Sequence, residues 1–152
     1  MLFRSSNWTS TGGTFDSTTS ASTNFHMPSA PATVTGNFTT AAGQITLTPT
    51  NINFGTVKEF SVLSRTVTVK NTGSSKVTIS KVSVVDGTGT DSDDFTPISF
   101  CPSSLAAGKS CEIFVVLYAD NLGTLSATLH VTDSAAGSPQ TVALSATVTK
   151  GH

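Results

Sequence analysis

A chain of 152 residues is long enough for one domain with a proper core and a smaller companion, and too short for two ordinary domains. With 11% charged residues and a formal net charge of -1, it has no basic face for nucleic acid or anionic lipid, so polynucleotide binding is not expected. Abundant Thr, Ser, Val, Ala and Gly favour half-buried strands over helices, and the composition reads all-β.

Met1-Leu2-Phe3-Arg4-Ser5-Ser6-Asn7 has neither a basic start nor an apolar stretch before a small-residue cleavage site, and no run approaches the ~20 apolar residues of a membrane span. No transmembrane segment is expected, and an export signal, if the protein is secreted, would lie upstream.

The chain divides near Gly43. Residues 1–43 hold the only Trp together with Phe3, Phe15, Phe25 and Phe38, spaced among Thr, Ser, Gly and Asn without a helical period. Residues 22–27 alternate and stop at Pro28, and residues 32–38 alternate again, which predicts a strand pair joined through Pro28-Ser29-Ala30-Pro31. Asn7-Trp8-Thr9, Thr23-Asn24-Phe25-His26-Met27-Pro28 and Ala32-Thr33-Val34-Thr35-Gly36-Asn37-Phe38 together resemble the second half of a bacterial surface repeat of the internalin B-repeat kind. The first half is missing, so the segment is either a partial repeat that packs locally or an arm that donates strands to a neighbour.

Residues 44–150 show a cleaner pattern. Ile45-Thr46-Leu47-Thr48 stops at Pro49, and Ile52-Asn53-Phe54-Gly55-Thr56-Val57 follows with a glycine kink, an opening edge strand that bends. Residues 64–70 and 76–85 read as a hairpin closed by Asn71-Thr72-Gly73-Ser74, with Val67, Val69, Val77 and Ile79 pointing inward. After a Gly, Thr and Asp loop over 86–94, Phe95 returns to the core. The run from Cys111 to Leu117 is almost continuously apolar, as a central strand covered on both faces would be. Two further alternating strands bury Ala127, Leu129 and Val131, then Val142, Leu144, Ala146 and Val148. About seven strands with regular turn signals predict an immunoglobulin-like antiparallel β-sandwich, its edges blunted by Lys70, Lys76 and Lys81.

Ile52-Asn53-Phe54-Gly55-Thr56-Val57, Val67-Thr68-Val69-Lys70-Asn71-Thr72-Gly73, the Cys101 to Ile113 stretch and Gln140-Thr141-Val142-Ala143-Leu144-Ser145 resemble, in that order, the immunoglobulin-like domain of Hydin-like and abnormal-spindle-like proteins. The bacterial choice-of-anchor D version is the nearest in pattern. The resemblance implies a non-enzymatic module repeated in large exported bacterial proteins, with no catalytic residues to carry over and no cofactor.

Candidate chemistry is sparse. Cys101 and Cys111 enclose nine residues, and a bridge between them would contribute roughly 2.5–3 kcal/mol through loop entropy and imply an oxidising compartment. Two reduced, packed thiols are the alternative. No His lies near them to make a zinc site. Asp91-Ser92-Asp93-Asp94 offers oxygens but lacks the glycine and terminal Glu of a calcium-binding loop, and reads as a solvated acidic loop. His130 and Asp133 should face opposite ways on a strand. Gly108-Lys109-Ser110 lacks the glycine pattern and following helix of a phosphate loop, and no serine-nucleophile elbow occurs.

Trp8, Phe3 and Phe15 could stack on sugar rings, or form a small core. The expectation is therefore a non-catalytic structural or adhesion module, at the cell surface or outside the cell, whose partners are other protein modules or copies of itself. A polysaccharide-binding module and a filament subunit with a donated N-terminal arm are the rivals, and neither needs a metal.

Overall fold

The computed structural model describes residues 3–40, 42–91 and 93–151, with the side chains of 3–6 and 38–40 outside that description. All regular structure among these residues is β. The chain forms two compact units, Met1–Ala41 and Ala42–His152.

The N-terminal unit is a nested pair of ribbons. β1 (Phe3–Ser10) pairs antiparallel with β4 (Val34–Thr40), and inside that loop β2 (Thr14–Phe15) pairs with β3 (Phe25–His26). The expected pairing of residues 22–27 with 32–38 is not formed. Pro28 and Pro31 leave the connection short of backbone donors, and both strands find partners closer to the N-terminus: the Thr11 amide donates to the Thr33 carbonyl and the Asp16 amide to that of Asn24. The strand ending at Phe38 thus pairs within its own unit.

The second unit is a sandwich. One sheet runs in the order β5 (Ile45–Thr48), β7 (Val62–Asn71), β11 (Ser110–Tyr118), β9 (Phe95–Ser99). The other runs β10 (Ser104–Leu105), β8 (Val77–Asp86), β12 (Gly123–Asp133), β13 (Gln140–Thr149), β6 (Asn51–Lys58). Period-two alternation puts Val67, Val69, Ile113, Val115 and Leu117 on the inner face of the first sheet and Leu125, Leu129, Val131, Val142 and Leu144 on that of the second, all buried.

Several expectations need correcting. Segments 64–70 and 76–85 are not a hairpin, because β7 joins β5 and β11 while β8 joins β10 and β12. Val67, Val69, Val77 and Ile79 do point inward, but from opposite sheets. Likewise β5 and β6 are not one bent edge strand: the chain turns at Pro49 and changes sheet. β6 then runs parallel to β13, an exception to the antiparallel plan, with a register shift near Gly55, whose φ of 77° a side chain would resist. β11 is central but fully covered on one face only, since Phe114 and Val116 are half-buried.

Lys70 lies in β7, between two strands, and guards no edge. Lys81 lies in β8 beyond the two residues that β10 covers, and Lys76 just before β8. Other devices blunt the remaining edges. β5 stops before Pro49, β10 has two residues, and Pro97 withdraws a donor from the free side of β9.

Candidate functional site

Both cysteines lie where β11 begins. Cys101 and Cys111 form a disulfide with Cα atoms 5.0 Å apart, and both side chains pack against the hydrophobic core. The bridge ties the end of β9 to the start of β11 across the short strand β10. Its loop closes on a tight turn in which the Lys109 amide donates to the Ala106 carbonyl, with Gly108 at φ 75°. That turn leads into a strand rather than a helix, so its amides do not converge on a phosphate.

Near the turn before the bridge stands Asn71, which sequence reasoning placed only in a hairpin turn. Asn71 is completely buried. Its Nδ2 donates to the carbonyls of Ser75 (2.8 Å) and Leu105 (2.9 Å), while Oδ1 accepts from the amides of Gly73 (3.0 Å) and Gln44 (3.3 Å). Its own amide donates to the Lys109 carbonyl and its carbonyl accepts from the Gly108 amide. All the bonding capacity of the side-chain amide is thereby used, and three separate segments, at Gln44, over 71–75 and over 105–109, are joined at one point. The signal was present, because Asn71 continues the inward parity of Val67 and Val69, where a polar side chain must find partners.

A second polar cluster lies in the acidic loop. Asp94 is buried rather than solvated, contrary to expectation. Its Oδ2 accepts from the Asp91 amide (2.8 Å) and from Asn121 Nδ2 (3.0 Å), which also donates to Asp91 Oδ2 (3.0 Å). The Asp94 carbonyl accepts from the Tyr118 amide, pinning the loop to the end of β11. Asp94 Oδ1 has no protein partner. Among the described residues no three metal-ligating side chains converge, and Ser92 lies outside that description.

Elsewhere, Asp133 is buried and accepts the Ala135 amide (2.7 Å), turned away from His130, which stands in β12 between Ser83 and Thr141. A groove of about 290 Å³ beside the disulfide is lined by Ile79, Lys81, Val82, Ser99, Cys101 and Ser103, with Lys81 its one ionisable member.

In the N-terminal unit, Trp8 is half-buried and its Nε1–H donates to the Ser20 carbonyl (2.9 Å). Its ring lies 6.3 Å from Phe15 at 39°, and Phe15 lies 4.9 Å from Phe25 at 46°. These tilted, half-covered rings pack on one another as a small core does. The side chain of Phe3, the third candidate for sugar stacking, lies outside the described residues, as does His152. His26 Nε2 meets Asp16 Oδ1 at 2.6 Å and Asn24 Nδ2 donates to Asp16 Oδ2 at 2.9 Å. The His26 hydrogen bond, followed by that of Asn24, holds the Asp16 carboxyl below the ordinary carboxylate range.

Comparison with known families matches residues 43–147 to the HYDIN/CFA65/VesB-like, Ig-like domain. The chain belongs to that family. Among solved structures, this Ig-like chain is similar to a protein of unknown function from Porphyromonas gingivalis W83, with a TM-score of 0.59 and 13% identity, over 81% of this chain and 61% of that one. It is similar to the VesB protease of Vibrio cholerae, with a TM-score of 0.53 and 18% identity, over 69% of this chain and 31% of that one. The human CEP192 ASH/PapD-like domain matches at 0.53 and 14% identity, over 84% and 99%. These likenesses establish the shared sandwich. The chain spans about three fifths of the Porphyromonas gingivalis protein and about a third of VesB. No curated protein matches it. Among the described residues no helix is long and apolar enough to cross a membrane.

Proposed function

We propose that the chain is a non-catalytic structural and adhesion module, a spacer or assembly unit, of an exported bacterial protein. The observation that carries this reading is where its sulfur and buried amide chemistry goes. The Cys101–Cys111 bridge and the bonds of Asn71 all end on the fold itself, fastening strand ends together. A disulfide supports an oxidising compartment, and with it the cell surface or the extracellular space. The finer assignments, a choice-of-anchor D type for the sandwich and an internalin-type partial repeat for residues 1–43, rest on the motifs quoted above. Membership in a family that shares its name with VesB supports an accessory role beside other domains.

Retention of the full chain on a panel of immobilised polysaccharides tests the reading against its main rival. No specific retention is expected. Retention that disappears in Trp8→Ala, with the circular dichroism spectrum unchanged, would overturn it in favour of a carbohydrate-binding module.

A further inference from the structure

The outward faces of the two sheets differ. On the five-stranded sheet the outward positions are mostly small or polar, Thr124 across from Thr147, Ser126 across from Ser145 and His130 across from Thr141, with Val85 its one large exposed apolar side chain. On the four-stranded sheet the outward positions of β9 and β11 include Ile98, Phe114, Val116 and Tyr118, Phe100 follows just past the end of β9 with its amide donating to the Glu112 carbonyl, and Val62 of β7 stands directly across from Tyr118. Val62 is 63% exposed, Phe100 62%, Ile98 44% and Tyr118 39%. Phe100 meets Phe114 edge-on at 5.3 Å, so the patch is continuous across the strands. At roughly 200 Å² for a large side chain standing free, these residues leave on the order of 400 Å² of apolar surface in one place, the size of the largest patch on a typical monomer, which is often a functional one. Pro97 closes the free side of β9 to an added strand, so a contact here is made through the face rather than the edge.

The face is also divided lengthwise. β9 and β11 carry most of its bulky residues, while β5 and β7, between Val62 at one end and Lys70 at the other, carry Thr46, Thr48, Ser64, Thr66 and Thr68. The register places Phe114 beside Thr66, Val116 beside Ser64 and Tyr118 beside Val62. A two-fold axis running along the strands between β7 and β11 lays the bulky half of one copy on the small half of the other. Phe114 then covers Thr66, Val116 covers Ser64 and Tyr118 meets Val62, each contact made twice. Lys70, across from Ser110, and Glu112, across from Thr68, are charged positions of opposite sign on the two strands that flank this axis. The same axis brings each Lys70 toward the other copy's Glu112, and a net charge of -1 opposes association little.

The geometry points to this face as a self-association surface on which a second copy of the chain docks, two-fold related, over β7 and β11. This gives the assembly role a surface without depending on export. Four strands about 4.8 Å apart, the longest rising about 3.4 Å per residue, offer a face about 30 Å by 15–20 Å, at the small end of specific interfaces. A contact of that size sets micromolar and higher concentrations as the range to search.

Sedimentation velocity on the full chain from about 1 μM to about 500 μM, spanning that range, should show a monomer–dimer equilibrium. Val116→Lys should weaken dimerisation at least tenfold while leaving the thermal melt in place. Ser64→Glu should do the same, and the double variant should restore the dimer because the two positions face each other across the axis. Phe100→Ser, at an exposed position, serves if Val116→Lys perturbs folding, and Thr128→Lys on the outward face of the other sheet should leave the dimer intact. A monomer at every concentration would overturn the proposal, as would a dimer indifferent to Val116→Lys and Phe100→Ser, or one lost equally in Thr128→Lys.

Discussion

The two units of the chain are held together by different means. Every buried apolar side chain among the described residues, from Ile45 to Val148, belongs to the sandwich, which adds a disulfide and the buried Asn71 hub. In the N-terminal unit Trp8, Phe15 and Phe25 reach only half-burial, and the described residues add two ribbons, side-chain bonds such as that from Asn37 to Asn7, and an exposed Asp16–His26 pair. Two-stranded ribbons are marginal in water, and exposed ion pairs contribute little. The same β-favouring composition thus builds one unit that resists opening as a whole and another that opens at lower free energy. The single tryptophan lies in the second kind, so its fluorescence reports the N-terminal unit while far-ultraviolet circular dichroism reports mainly the sandwich.

This contrast can be broken from either side. Leu129→Ala empties a fully buried position and should cost the sandwich about 2–5 kcal/mol, moving the circular dichroism transition in urea and leaving the Trp8 transition, expected at lower urea, where it was. Coincident transitions would make the two units one cooperative body. Asn71→Ala strands the carbonyls of Ser75 and Leu105 and the amides of Gly73 and Gln44, and should cost about 2–4 kcal/mol by the same probe. In the other unit, Phe15→Ala removes the ring between Trp8 and Phe25. About 1 kcal/mol of aromatic contact is at stake, visible in the Trp8 transition alone.

The smallest effect is on pH. Asp16 has a lowered folded-state pKa, so its contribution is fully present above the ordinary carboxylate range and is lost as the pH falls from that range through the lowered value. The Trp8 transition of the native chain should weaken on acidification through this window, and that of Asp16→Asn should weaken less. Identical acid profiles in the two would remove the pair from the account.

Much of the sandwich was legible in the sequence, because a buried face leaves a period of two. Val67, Val69, Val77, Leu129 and Val142 all point where their alternation says. Alternation gives the face of a residue and not the strand beside it, which is why 64–70 and 76–85 looked like a hairpin when they belong to opposite sheets. The pattern of β11 misled differently: Phe114 and Val116 are apolar, yet they face outward and half into solvent. In the N-terminal unit the alternation is real but short, and the Trp8, Phe15 and Phe25 cluster is only half-buried, so alternation did not select the partners: β3 and β4 were paired with each other when each pairs with an earlier strand. The fastening at the start of β11 was half visible. The cysteine spacing could be read, whereas the bonds of Asn71 depend on carbonyls from turns that alternation does not place.

The claim that this chain is a structural module fastened at the entry to β11 rests most directly on the disulfide. A thermal melt of the full chain followed by far-ultraviolet circular dichroism, with and without a thiol reductant, tests it. Loss of the Cys101–Cys111 bridge should cost about 3 kcal/mol and lower the sandwich transition by roughly 10 °C. Superimposable melts would contradict the account.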